Sequence, residues 1–312
     1  MSAQMHDIEL REIIDGLQQA EKMISPKYFY DERGSQLFDQ ITTLPEYYPT
    51  ATELGIMREN IAEITALIGP QASLIELGSG SSLKTRVLLE EFADQAVYVP
   101  VDISEDHLLA SARQIRAEFP ELEVLPVVAD FTKRFALPNP TTLPLRNIVY
   151  FPGSTIGNFT HDAAHELLKV MHHESGENGA LLIGVDLQKD PATIERAYND
   201  SAGVTAEFNL NMLRHLNREY GSDFDLGAWS HDARYNETAG RIELRLINST
   251  TQTVHIGGET IVIDAGEGVL SEYSHKYTLD GFAAMAEQAG FEIAQVWTDP
   301  EQLFSVQYCV RS

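Results

Sequence analysis

The chain has 312 residues, enough for one large α/β domain or a domain with an attached cap. Its apolar fraction of 43% suits an ordinary soluble core, and its formal net charge is −25 at pH 7. That field, with no cluster of Lys or Arg, argues against nucleic acid or an anionic membrane as partner and favours a cationic ligand.

Met1–Gln18 is polar and lacks the apolar run of a signal peptide, so no targeting segment is expected. Over residues 1–24, Ile8, Leu10, Ile13, Ile14 and Leu17 recur at helical spacing, and Ser25-Pro26 stops the helix. Lys27–Thr50 gathers Tyr28, Phe29, Tyr30, Phe38, Tyr47 and Tyr48 among Gly34, Pro45 and Pro49. The spacing predicts a turn at Gly34, a short helix over Ser35–Thr42 and an extended or turned stretch at Glu46-Tyr47-Tyr48. So many aromatic residues beside prolines suggest a cap rather than a linker. Thr52–Ile68 reads as a further helix leading into a sheet.

Leu74–Gly80, LIELGSG, is the stretch around which the rest is organised. Three apolar residues end a buried parallel strand, and Gly78-Ser79-Gly80 makes a tight turn into a helix over Ser82–Phe92. A pyrophosphate fingerprint needs a third glycine, but Leu83 stands there, and no GK[ST] phosphate loop follows. A second strand, Ala96–Asp102, ends in an acid suited to ribose hydroxyls. A glycine turn with a ribose acid, but without the phosphate glycine, fits a nucleoside ligand such as S-adenosylmethionine.

Ser104–Phe119 is predicted helical and Val124–Val128 a third strand, ending in Ala129-Asp130-Phe131. A carboxylate beside a ring at a strand end can take an adenine amine and face. Pro138–Leu145 is a loop and Arg146–Tyr150 a fourth strand, running into FPGSTIGNF at Phe151–Phe159. Its small polar groups lie where ligands bind in an open α/β sheet, and Asn158 carries both a donor and an acceptor. A helix follows over Ala163–Met171. His161, His165, His172 and His173 lack metal-ligand spacing, so no metal is expected. Gly179–Leu187 is a fifth strand, and Pro191–Tyr198 and Phe208–Tyr220 are helices. From Arg241 the period shortens to that of antiparallel strands around Gly257-Gly258 and Gly266. Thr278–Ala289 is a last helix before strands Gly290–Thr298 and Phe304–Val310. Cys309 is the sole cysteine, which excludes an intramolecular disulfide and suits a reducing cytoplasm.

YFYDERGSQLFDQITTLPEYYPT, ELGSG, FPGSTIGNF and Glu272-Tyr273-Ser274-His275-Lys276-Tyr277 together resemble the histidine-specific Nα-methyltransferases of ergothioneine biosynthesis. The resemblance runs from about residue 20 to the C-terminus. It implies a class I S-adenosylmethionine-dependent methyltransferase, a Rossmann-like sheet with one antiparallel edge strand, plus an α+β substrate-binding cap. Residues 1–60 and 191–277 would form the cap, and 61–190 and 278–312 the core. The implied reaction is trimethylation of the α-amine of L-histidine to hercynine. The implied cosubstrate residues are Gly78, Gly80, Lys84, Asp102, Asp130 and Phe131, with Lys84 on the methionine carboxylate, Asp102 on ribose and Asp130 and Phe131 flanking adenine. The implied substrate residues are Tyr30, Tyr47, Gly153, Asn158, Tyr198, Glu272 and Ser274. Among these, Asn158 and Tyr198 would hold the α-carboxylate, Glu272 and Ser274 the far imidazole nitrogen and Tyr47 the near one. Tyr30, Tyr47 and Asn158 are the expected catalytic positions.

Two positions depart from the family pattern. Ala51 replaces the arginine usual after PEYYPT, and Tyr273 is bulky between two ring-binding residues, although period two turns it to the other face. A wider set of relatives methylates tryptophan-type amines, so another aromatic amino acid is an alternative substrate. A non-catalytic S-adenosylmethionine-binding protein is the alternative outside enzymology. A monomer acting on a small molecule is expected.

Overall fold

A computed structural model describes residues 3–80, 83–92 and 97–312. The chain divides into two compact units, Met1–Tyr48 with Lys189–His275 and Pro49–Gln188 with Lys276–Ser312.

Helices α1 (Ala3–Leu17) and α2 (Glu32–Ile41) open the chain, separated by a 3-10 turn at Pro26–Phe29. Helix α2 starts earlier than its spacing predicts because Asp31 caps it, accepting from the Gly34 amide at 2.6 Å. Gly34 therefore lies inside the helix rather than at a turn. A Cβ there would sit 1.6 Å from the Phe29 carbonyl oxygen, so a close backbone approach requires the glycine. Helix α3 (Tyr48–Ile68) likewise starts before the expected Thr52, since Pro49 falls in the first turn where its missing N–H costs nothing.

The second unit then alternates strand and helix: β1 (Ala72–Leu77), α4 (Leu83–Phe92), β2 (Val97–Asp102), α5 (Glu105–Glu118) and the short strands β3 (Glu123–Val124) and β4 (Val127–Val128). The expected helix start at Ser82 and strand start at Ala96 lie outside the described residues. Strand β5 (Arg146–Phe151), helix α6 (His161–Ser175) and strand β6 (Ala180–Asp186) follow.

In the first unit come α7 (Pro191–Tyr198), α8 (Val204–Glu219), β7 (Trp229–Asn236), β8 (Arg241–Asn248), β9 (Gln252–Ile256), β10 (Glu259–Ile263) and β11 (Gly268–His275). Helix α9 (Leu279–Gln288) and strands β12 (Phe291–Thr298) and β13 (Phe304–Arg311) return to the second unit.

The main sheet runs β12-β13-β6-β5-β1-β2-β3, with β4 also on β2. Strand β1 is parallel to both β2 and β5, and β5 is parallel to β6. Strand β13 alone is reversed, antiparallel to β6 and to the outer β12. Alternation along the strands fills two cores, one on each face. Leu74, Tyr98, Ile148, Tyr150 and Leu182 lie on one, and Ile75, Val99, Val149, Phe151 and Ile183 on the other.

In the first unit, β11-β8-β7 form an antiparallel sheet and β9-β10 a hairpin turned by Gly257 and Gly258, both at positive φ. The antiparallel region begins at β7, ahead of the expected Arg241. WSHDARYN is too polar to read as a strand, and it is one because it pairs along its whole length with β8. The core here joins Leu17, Phe29, Leu37, Phe208, Met212 and Leu246.

Within the second unit, the Lys276 ammonium meets the Asp186 carboxylate at 2.8 Å, both side chains 1% exposed. Lys276→Ala leaves that carboxylate buried without its cation and is expected to cost about 3–5 kcal/mol. Urea denaturation should show this loss, with Asp186→Leu combined with Lys276→Met recovering most of it.

Candidate active site

The described site begins at the carboxyl end of β1. Gly78 and Gly80 hold φ values of +69° and +44°, conformations that disfavour a side chain. The Gly78 amide donates to the Val101 carbonyl at 2.8 Å, which pins the turn beside Asp102. Asp102 accepts from the Ser104 amide at 2.9 Å. Burial raises its pKa, and backbone hydrogen bonds, one from Gly80, offset part of that rise. A Cβ on Gly78 would lie 3.5 Å from the Phe131 ring, which itself packs edge-on against Phe151 at 5.7 Å.

The turn, the acid and the ring are thus neighbours, as a nucleoside site requires. Asp130 is engaged locally, by Lys133 at 2.8 Å and by the Thr132 amide at 3.0 Å. Burial would raise its pKa, but these partners outweigh it and hold the carboxyl below its usual range. Beneath the turn, Glu76 is buried and accepts from the Tyr98 hydroxyl. Desolvation pushes its pKa up to about 7.

Lys84, the expected carboxylate ligand, lies on a residue that the motifs did not single out. Its ammonium is 2.5 Å from Glu53, whose side chain is 1% exposed. The two Glu53 oxygens also accept from the Gly153 amide at 3.1 and 2.9 Å. Gly153 has φ +80°, and a Cβ there would be 3.2 Å from the Lys84 nitrogen. One buried carboxylate therefore joins a residue expected at the cosubstrate to one expected at the substrate. A signal for it existed: Glu53 shares the buried face of α3 with Ile56, Met57 and Ile64.

The loop after Gly153 is built tightly. Ser154, at φ +56°, accepts from the Asp186 amide at 2.9 Å, and the Thr155 hydroxyl donates to the Pro152 carbonyl at 3.0 Å. Asn158 ends the 3-10 turn Thr155–Asn158 and is half-buried.

Tyr30, Tyr47, Tyr198, Glu272 and Ser274 belong to the first unit. Tyr30 packs edge-on against Phe38 and Phe208, each at 5.8 Å, and Tyr47 against Phe38 at 6.4 Å and Tyr198 at 6.2 Å. Phe208, which also stacks on Phe29 at 4.5 Å, is a member of this cluster that sequence reasoning treated only as a helix start. The Tyr198 hydroxyl and the Ser274 hydroxyl share a hydrogen bond of 2.7 Å. Glu272 and Ser274 stand opposite Leu244 and Ile242, on one face of β11. Tyr273 faces the other way, with the Arg241 guanidinium 3.7 Å above its ring, so its bulk does not intrude between them. Ala51 is an exposed position of α3.

Residues 9–311 match the model of the S-adenosylmethionine-dependent histidine-specific methyltransferases. The chain belongs to that family. Its sheet, doubly wound with β13 reversed, is the class I methyltransferase fold. It is 41% identical over 307 residues to a histidine N-alpha-methyltransferase of Mycolicibacterium smegmatis, covering 96% of this chain and 94% of that one. The corresponding protein of Mycobacterium tuberculosis is 40% identical, over 93% of this chain and 90% of its own. Ergothioneine biosynthesis protein 1 of Neurospora crassa is 33% identical over 86% of this chain, which matches 31% of that longer protein. Among the described residues no helix is long and apolar enough to cross a membrane.

Glu76 should be visible in solution. The unfolded chain releases this proton near pH 4.5 and the folded chain near 7, so the folded state binds more protons in between. Stability should therefore fall as pH rises through that window, by roughly 3 kcal/mol. Carboxyl NMR should give a Glu76 midpoint near 7, and Glu76→Gln should flatten the fall.

Proposed function

We propose that this chain transfers methyl groups from S-adenosylmethionine to the α-amine of L-histidine, three times, to give hercynine, a step of ergothioneine biosynthesis. The observation that carries the substrate reading is the face of β11, where Glu272 and Ser274 emerge together and Ser274 is bonded to Tyr198. It is supported by the full-length likeness to proteins named for that substrate.

S-adenosylmethionine supplies an electrophilic methyl on a sulfonium. The residues present suit such a ligand: the Gly78-Ser79-Gly80 turn lets it approach backbone, Asp102 accepts from ribose hydroxyls, and Phe131 offers a ring to adenine. Asp130 is proposed to accept from the exocyclic amine. Lys84 carries three N–H donors, so its contact with Glu53 leaves donors for a carboxylate.

At the substrate, the α-ammonium must lose a proton before it can attack. Near neutral pH that costs about 1–2 kcal/mol, so no strong base is required. Positioning is then the main contribution of the protein. Glu272 and Ser274 reward a ring that carries N–H, because a carboxylate accepts from such a donor and a hydroxyl can serve either ring nitrogen. Tyr47 is proposed to address the nearer ring nitrogen and Tyr198, through its hydroxyl, the substrate's polar end. Asn158 brings an amide suited to a carboxylate. The rings of Tyr30, Phe38 and Tyr47 can attract positive charge as methyl groups accumulate.

Mass spectrometry after incubating the protein with S-adenosylmethionine and the standard amino acids should show one, two and three methyl groups on histidine alone. Glu272→Ala should raise the histidine KM roughly tenfold or more and leave S-adenosylmethionine affinity near wild type. Methylation of tryptophan or tyrosine instead, or unchanged histidine binding by the variant in calorimetry, would overturn the substrate assignment.

A further inference from the structure

Strand β11 does not pair evenly with β8. Leu270 stands opposite Arg245 and Glu272 opposite Leu244, so Ser271 is an extra residue in a β-bulge. The bulge decides which face each later side chain takes. Strand β8 alternates buried Ile242, Leu244 and Leu246 with Arg241, Glu243 and Arg245 on its other face. Without the extra residue Glu272 would face Glu243, between Arg241 and Arg245, and Tyr273 would take the face now held by Ser274 and Glu272. That slipped register is not electrostatically forbidden, because two arginines flank the misplaced carboxylate. Something else must hold the bulge.

Asn209 of α8, fully buried, spans it. Its side-chain oxygen accepts from the Ser271 hydroxyl at 2.7 Å on the bulged strand. Its amide nitrogen donates to the Arg245 carbonyl at 3.1 Å on the partner strand, where the register shift begins. The same nitrogen is 2.9 Å from His231 Nδ1, and His231 Nε2 is 2.9 Å from the Tyr198 carbonyl oxygen. Only one arrangement of protons satisfies all four contacts. Nδ1 accepts from Asn209 and Nε2–H donates to Tyr198, with the imidazole neutral. Burial lowers the His231 pKa and so favours that form, against the opposing pull of Asp232 and Asp200.

The chain of contacts closes on itself: Ser271 through Asn209 and His231 to the Tyr198 backbone, and the Tyr198 hydroxyl to Ser274, three residues along β11. We propose that Asn209 and His231 are specificity-determining positioning residues. They clamp the Ser271 bulge and the Tyr198 main chain together, so that Glu272 and Ser274 emerge on the Tyr198 face. The inference rests on the proposed role of that face in holding the histidine ring.

The test is a double-mutant cycle read by calorimetry on the full chain, with L-histidine and S-adenosylmethionine titrated separately. Ser271→Ala and Asn209→Ala should each weaken histidine binding about tenfold, leave S-adenosylmethionine binding within about twofold and lose their effect in a Glu272→Ala background. Unchanged histidine affinity, equal loss for both ligands, or an undiminished effect beside Glu272→Ala would overturn the proposal. If Glu272→Ala alone leaves histidine binding intact, the reading of the β11 face has failed and the clamp falls with it. Should Asn209→Ala not fold, Ser271→Ala and His231→Ala, the latter at a half-buried position, complete the same cycle.

Discussion

The second unit depends on carboxylates that are buried. Glu53, Glu76 and Asp186 are each at most 2% exposed, in a chain that already carries a net charge of −25. Taking such a group out of water costs several kcal/mol unless it is paired or protonated. Two are paired with a lysine and the third is not. Glu53 is paired with Lys84 and the Gly153 amide, Asp186 with Lys276, and Glu76 is held by desolvation near the point where it keeps its proton. These solutions shape the backbone around them. A Cβ at Gly184 would come within 2.1 Å of a Glu53 oxygen, so the middle of β6 must carry a glycine. The loop from Gly153 to Asn158 is fastened at both ends of this system, to Glu53 at Gly153 and to the Asp186 amide through Ser154.

What the sequence made legible follows from local chemistry. The Gly78-Ser79-Gly80 turn is visible because only glycine tolerates such φ values cheaply, and Asp102 because a strand ends there in an acid. The Pro191 start of α7 is visible because proline is suited to the first helical turn. What escaped was set by contacts between distant segments. Gly34 looked like a turn, yet its reason is the Phe29 carbonyl. Strand β7 alternates only weakly, with buried Trp229 and Ala233 separated by polar residues, and its ladder with β8 is what makes it a strand. Glu53 belongs to no motif, and its role depends on Lys84 and Gly153, which are far from it in sequence. The candidate site was therefore readable where a residue acts through its own backbone or its own side chain. It was unreadable where one residue acts by placing another.

That division bears on how a histidine methyltransferase could select its substrate. On the proposed reaction the α-nitrogen loses its N–H bonds one by one and ends as a quaternary cation. Any hydrogen bond from that nitrogen that helped the first transfer would be missing by the third. The amine end must therefore be held by shape and by diffuse attraction to rings, neither of which distinguishes one aromatic amino acid sharply from another. Discrimination then falls to the imidazole, whose N–H and lone pair survive all three steps unchanged. A group that reads it must be aimed accurately, because a carboxylate on the wrong face of β11 would find Arg241 and Arg245 and read nothing. A polar network of buried Ser271 and Asn209 with half-buried His231 is the kind of device that fixes register without adding much to net stability.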